Sequence, residues 1–310
     1  MPDAGEAIRD GGQPAKARFR LVDAGLLVFA AAIYGGIFPV NRLAAEALWP
    51  PMGFAFAQSL LAGLVLAGAA IISGRGFAAS AAHLRAYLVM GGLVVGLPIG
   101  ILVAAAQHLD ASVLTLVLCL SPILTLFIGA LTGLERFDRR TFAGMLLGAA
   151  GVAVISLPGA GVVGADGVFW FLVALTAPVM FATANNCAKW LRPPGASSMT
   201  MAAGTLLGAA AVAGVVMLAL GSAVLPAADT SGGLLPIVLA TAINAVFFWL
   251  FFELVARIGP ARFSLFNYLA VAAGILWSLV AFQEKPASLF WVALLLMVAA
   301  MYLALSRTPR

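Results

Sequence analysis

The sequence predicts an all-α membrane protein: ten transmembrane helices, arranged as two inverted-topology five-helix repeats around a central cavity. Three observations carry this expectation. The chain has too few polar residues to clothe a water-facing surface, it divides into ten apolar stretches of spanning length, and the charge of its loops alternates from one stretch to the next.

Of 310 residues, 63% are hydrophobic and 9% charged, and the mean hydropathy is +1.09. Lipid must therefore be the main solvent. In hydrocarbon only α-helices and closed barrels satisfy every backbone N–H and C=O. The long Leu/Val/Ala/Gly blocks lack the alternation of barrel strands, so helices are expected. The net charge of +5 comes from basic residues scattered along the loops. No patch gathers to grip a nucleic acid, so the expected partners are a small-molecule substrate and the lipid bilayer. Cys119 and Cys187 lie inside apolar segments without CxxC spacing or a Cys/His cluster, so neither metal nor cofactor is expected.

Spans are expected at about 22–43, 51–73, 86–107, 111–133, 140–157, 167–190, 198–220, 234–256, 261–282 and 287–305. The organisation follows: a flexible cytoplasmic tail over 1–21, a first five-helix repeat over 22–157, a linker over 158–166, a second, inverted repeat over 167–305, and a cytoplasmic tail over 306–310. Lys and Arg are retained in cytoplasmic loops. With the N-terminus inside, every Lys and Arg except Arg42 and Lys285 falls on that side, while Glu46, Asp110, Asp166, Asp229 and Glu284 fall outside. A multi-pass protein of a bacterial inner membrane with both termini cytoplasmic is expected.

Glu135 and Glu284 are 149 residues apart, an offset that also lays Asp110-Ala111-Ser112 on Gly259-Pro260-Ala261. Five spans are an odd number, so the second copy must enter from the opposite face. Tyr34-Gly35, Ser121-Pro122 followed by Gly129 and Glu135, and Pro260-Ala-Arg-Phe-Ser264 leading to Glu284 are similar to motifs of one family. On these the chain resembles the drug/metabolite transporter superfamily, specifically its EamA-type ten-helix exporters, and most of all the aromatic amino-acid exporters. The resemblance covers about 22–305, with one departure: Val271 stands where the second copy often has Pro. It implies a basket of spans 1–4 and 6–9 around a cavity, with spans 5 and 10 as outer supports, and export as the direction of transport.

Polar residues within spans usually face the bundle interior. Asn244 shares a helical face with Thr241 and Phe248. Ser264, Asn267, Val271, Gly274 and Ser278 form a small and polar stripe on the ninth span, and Ser121, Thr125 and Gly129 another on the fourth. With Gln58 and Asn185, and with Tyr34, Trp249 and Tyr268 as stacking surfaces, Asn244, Thr241, Phe248, Ser121 and Asn267 are the candidate substrate-binding residues. The competing account is that Ser, Thr and Asn merely bond across helices and that the aromatics pack or anchor. Gly92, Gly96 and Gly100 make a GxxxGxxxG ridge on the third span, interrupted by Pro98. Gly96, Pro98, Gly100, Pro122 and Gly274 are candidate hinges. Pro39 and Pro178 interrupt further spans.

Asp23, Asp110 and Asp166 precede apolar runs and are expected to cap helices. Trp49, Trp170, Trp190 and Trp291 are expected in the interfacial belts. No carboxylate lies at mid-depth; Glu253 is near a span end, with Arg257 four residues on, which suits an ion pair. The missing central acid argues against a proton-coupled exporter of lipophilic cations and favours a neutral or zwitterionic substrate such as an amino acid, carried by alternating access. A passive channel and a multidrug or cation exporter remain the alternatives. An enzyme is disfavoured, since no GxSxG, HExxH or DDxxD occurs. A duplicated chain can form a whole pathway as a monomer. Alkaline phosphatase fused after Arg310 should be inactive and phosphatase inserted in the 158–166 linker active; the reverse pattern would invert the topology.

Overall fold

The computed structural model describes residues 21–74, 76–133, 139–156, 167–191, 193, 196–226, 233–258, 265–283 and 285–305. The predicted tails and linker, Glu135, Asp166, Glu284 and the 260–264 motif lie outside the described residues, as do the side chains of Pro122, Trp190, Asn267 and Tyr268. Within the described residues the secondary structure is entirely helical. In chain order the helices are α1 (Leu21–Gly35), α2 (Ile37–Glu46), α3 (Pro51–Ile72), α4 (Ala81–Gly91), α5 (Leu97–Ala105), α6 (Ala111–Val117), α7 (Ser121–Leu131) and α8 (Arg139–Ser156). There follow α9 (Gly167–Ala174), α10 (Thr176–Leu191), α11 (Ser198–Ala219), α12 (Leu235–Ile258), α13 (Leu265–Phe282) and α14 (Ser288–Leu305). Among the described residues, six helical stretches are long and apolar enough to cross a membrane: Leu21–Glu46, Pro51–Ile72, Ala81–Ala105, Gly167–Cys187, Ser198–Ala219 and Leu235–Leu254.

The breaks inside these stretches have a common chemical cause. Proline has no N–H, so the carbonyl four residues before it loses its helical donor. Pro39 deprives Gly35, where α1 gives way to α2, and Pro178 deprives Ala174, where α9 gives way to α10. Pro98 deprives Val94, which sits in a π-turn over Gly92–Gly96. Pro122 deprives Leu118, which opens a 3₁₀ turn over Leu118–Leu120. With Val271 in place of a proline, α13 runs unbroken from Leu265 to Phe282.

Contacts sort the helix ends into two sets. At one end, called far here, Trp49 donates its indole N–H to the Gly233 carbonyl at 2.6 Å, and His108 stacks on Trp170. At the other, near end, the Tyr87 hydroxyl donates to the Ala78 carbonyl and the Thr200 hydroxyl to Gly76. Arg42 ties the far end together. Its Nε reaches Glu46 at 3.0 Å, its Nη1 reaches Asp110 at 2.9 Å, and its guanidinium lies 4.5 Å over the Phe282 ring. A cation on the far side against the general charge bias is therefore answered locally by two carboxylates.

Three expectations are corrected here. Asp110 occupies the N-cap position of α6 but makes no capping bond, because its carboxylate turns to Arg42. Asp23 lies within the first turn of α1 rather than before it. Trp49 is 1% exposed and packs edge-on against Phe54, so it is a buried clamp and not a belt residue. Trp291, at 43% exposed, keeps an outward position.

Close helix approach rests on glycine. A Cβ at Gly91 would strike the backbone of Thr205 and Ala209, and one at Gly208 the Tyr87 carbonyl. Gly204 lies directly against the Tyr87 ring. In the predicted ridge, Gly92 faces Val212, Gly96 the Ala209 backbone and Gly100 the Met52 side chain. Helices α8 and α14 pack on each other through Gly148 against Ala300 and Gly151 against Met297. Gly208→Val should force α4 and α11 apart, because backbone cannot yield as a side chain can. Overpacking of this kind costs about 1–3 kcal/mol or more. The measure is a lowered thermal midpoint of the purified protein in detergent, with Gly68→Val, whose Cβ position is open, as the control.

Candidate substrate cavity

Helix α12 carries aromatic residues at 247, 248, 251 and 252, which the 3.6-residue period places on one broad face. Phe247 meets Tyr34 of α1, ring centroids 4.1 Å apart, and stacks on Phe266 of α13 at 5.1 Å. Tyr34 also lies 5.7 Å from Phe266 and edge-on to Phe38 at 6.4 Å. Such contacts add about 0.5–1.5 kcal/mol per pair beyond simple burial.

These rings wall a cavity of about 150 Å³. Its lining comes from both halves of the chain: Tyr34, Phe38, Met90, Val94, Leu118 and Ser121 from the first, and Phe181, Asn185, Thr205, Phe247, Phe248, Phe251, Phe252, Phe266, Ala270 and Val271 from the second. No lining residue carries a charge. Apart from Phe181, the lining positions on α10, α12 and α13 sit in the near-end halves of those helices, while the far end is held by Trp49 and Arg42. Val94 and Leu118, the residues whose carbonyls proline deprives, both touch the cavity. A polar edge joins α7 to α10. Asn185 donates to the Thr125 hydroxyl at 3.2 Å, Thr125 donates to the Ser121 carbonyl, and Asn186 donates to the Thr125 carbonyl at 3.0 Å.

Of the predicted substrate-binding residues, Tyr34, Ser121, Asn185 and Phe248 line this cavity. Asn244, Gln58, Thr241 and Trp249 are not among its lining residues. Asn244 donates to the Gln58 side-chain oxygen at 2.7 Å, joining α12 to α3, and to the Ala240 carbonyl of its own helix at 2.9 Å, while the Gln58 side-chain nitrogen is buried without a partner. Thr241 is one turn farther toward the far end. Trp249 is 44% exposed because, next to Phe248, it is turned to the opposite flank of α12. Asn267 and Tyr268 belong to α13, but their side chains are outside the described residues.

Among the predicted hinges, Gly96 and Pro98 fall in and beside the π-turn, Gly100 in α5, and Pro122 at the start of α7. Gly274 marks a close approach, with Phe38 and Thr115 against it. Glu253 pairs with Arg257 at 2.7 Å within α12, as its spacing suggests. Sequence reasoning passed over Thr205, Phe247 and the Phe251-Phe252 pair. The Gly204-xxx-Gly208 spacing beside Thr205 was the available signal for a close crossing there.

The sequence model of the EamA-like transporter family matches residues 24–157 and, a second time, residues 168–306. The chain belongs to the EamA-like transporter family. It is thus a multi-pass membrane transporter of the drug/metabolite superfamily, a family of carriers and not of enzymes. The two EamA matches also fall on the two halves that the internal repeat delimits. A solved crystal structure aligns with a TM-score of 0.59 at 22% identity, over 91% of this chain and 96% of that one, a likeness of fold. Comparison with curated proteins gives no match.

Removing Asn244 strands a buried glutamine. Asn244→Ala should lower stability by about 1–3 kcal/mol, the cost of an unsatisfied buried amide. Asn244→Leu combined with Gln58→Leu should recover part of that loss, and thermal midpoints of the single and double variants measure the coupling.

Proposed function

We propose that the chain is a ten-span exporter of small neutral or zwitterionic metabolites, amino acids with aromatic side chains among them, working by alternating access in a bacterial inner membrane. The observation that carries this reading is a cavity with no charged lining residue, walled by aromatic rings from both family copies. Ten spans follow when each proline break is treated as internal to one crossing: α1–α2, α4–α5, α6–α7 and α9–α10 then join α3, α8, α11, α12, α13 and α14. Five crossings per copy invert the second copy relative to the first. The Lys/Arg bias assigns the near end to the cytoplasm, with both termini on that side.

Substrate chemistry follows from the lining. A planar apolar body gains from ring contacts, and its polar groups meet the side chains of Ser121, Asn185 and Thr205. An isolated charge would find no counter-ion among the lining residues and would carry the cost of leaving water. Neutral molecules avoid that cost, and in a zwitterion the attraction between the two adjacent opposite charges offsets part of it. Bending at the Pro98 and Pro122 breaks, whose deprived carbonyls belong to the lining residues Val94 and Leu118, is the movement through which a carrier would exchange its open end.

Purified protein in liposomes should give saturable counterflow of labelled L-phenylalanine or L-tryptophan, accelerated by unlabelled amino acid on the opposite side. Linear flux without that acceleration would indicate a channel. Uptake of tetraphenylphosphonium driven by a pH gradient, with no amino-acid counterflow, would indicate a cation exporter.

A further inference from the structure

Hydroxyl side chains in membrane helices ordinarily satisfy themselves by donating to the carbonyl four residues back. This protein follows that habit repeatedly. Thr115 donates to Ala111, Thr125 to Ser121, Thr132 to Ile128, Thr183 to Val179 and Ser278 to Gly274, all at 2.8–2.9 Å. Among the described residues, three buried helical hydroxyls have no hydrogen-bond partner: Ser59, Thr205 and Thr241. Only Thr205 of the three lines the cavity.

The placement of Thr205 is fixed by packing. Helix α11 presses on α4 through Gly91, Gly204 and Gly208 with little side chain between the backbones. Thr205 therefore stands at the seam of α11 with α4 and shares the cavity lining with Met90, Val94, Tyr34, Phe247 and Phe266. It is 2% exposed, comparable with Phe38 at 3% and Phe248 at 4%, which line the same space. A hydroxyl held there without a partner loses its hydrogen bond to water and gains none in the fold, an arrangement that a ligand can redeem.

We propose that Thr205 anchors the substrate, its hydroxyl donating to a carbonyl or carboxylate oxygen of a molecule whose ring lies against Tyr34, Phe247 and Phe266. This rests on the reading of the cavity as the transport site and narrows the substrate class to a single ring bearing a nearby acceptor oxygen. The volume of about 150 Å³ suits one such ring.

The test pairs L-phenylalanine with 2-phenylethylamine, which share ring and amine but differ in the carboxylate. Ligand-induced thermal stabilisation is titrated on the full-length protein in detergent for the wild type, Thr205→Val and Thr205→Ser. The half-saturating concentration of L-phenylalanine should rise about ten- to hundredfold in Thr205→Val, the range for one hydrogen bond to a charged acceptor, and return in Thr205→Ser. The phenylethylamine titration should not change. Without ligand, Thr205→Val should keep the wild-type thermal midpoint, whereas Thr115→Val, which removes a bonded hydroxyl, should lower it. An equal effect on both compounds, no effect on L-phenylalanine, a ligand-free loss like that of Thr115→Val, or a wild type stabilised by neither compound would each overturn the assignment. A protein that binds as expected but gives no counterflow in liposomes would instead overturn the transporter reading.

Discussion

The governing constraint is the carbonyl oxygen in hydrocarbon. Every backbone acceptor must find a donor within the protein, which makes the fold helical and makes proline disruptive. The chain uses four such disruptions inside its long apolar stretches, at Gly35, Val94, Leu118 and Ala174. Two of those four residues face the cavity. The same local deficit thus replaces regular α-helix beside the chamber with a π-turn and a 3₁₀ turn, and at Leu118 the tighter bond from the Ser121 N–H makes it good.

Around that chamber the molecule divides its packing by residue size. Where helices must touch, as α11 does with α4 and α8 with α14, glycine and alanine let backbones come together and dispersion contacts do the holding. Where space is kept, phenylalanine and tyrosine stand as rigid walls. Polar cross-links fall between these zones: Asn244 with Gln58 joins α12 to α3, and Asn185 and Asn186 with Thr125 join α10 to α7. Polar groups within the bundle are therefore divided between holding helices together and facing the cavity.

The backbone was largely legible from sequence, because proline chemistry is local and acts whatever surrounds it. Pro39, Pro98, Pro122 and Pro178 announced their breaks, and Val271 announced an unbroken α13. Side-chain direction was far less legible. In a soluble helix the polar face points outward, but a helix in lipid is apolar on the outside as well as inside. Hydropathy could not tell Phe248, which lines the cavity, from Trp249 beside it, which faces away. It could not tell which hydroxyls bond their own helix, so Thr125 and Thr205 look alike until their partners are known. Asn244 met the opposite difficulty: a mid-span amide fits a substrate or a neighbouring glutamine equally well, and the sequence does not announce that Gln58, 186 residues away, is its neighbour. Trp49 read as an interfacial anchor because its buried acceptor, Gly233, lies far away in the sequence.

The continuous α13 also bears on energetics. Its counterpart stretch in the first copy, α6 to α7, is interrupted beside Ser121, whereas α13 is a single unbroken helix. Two copies of one family model therefore differ in stiffness at equivalent places. For a carrier, the unloaded protein then has unequal free energies when facing the two compartments. Net flow still obeys the gradient, but the substrate concentration that half-fills the binding chamber differs between the two faces of the membrane.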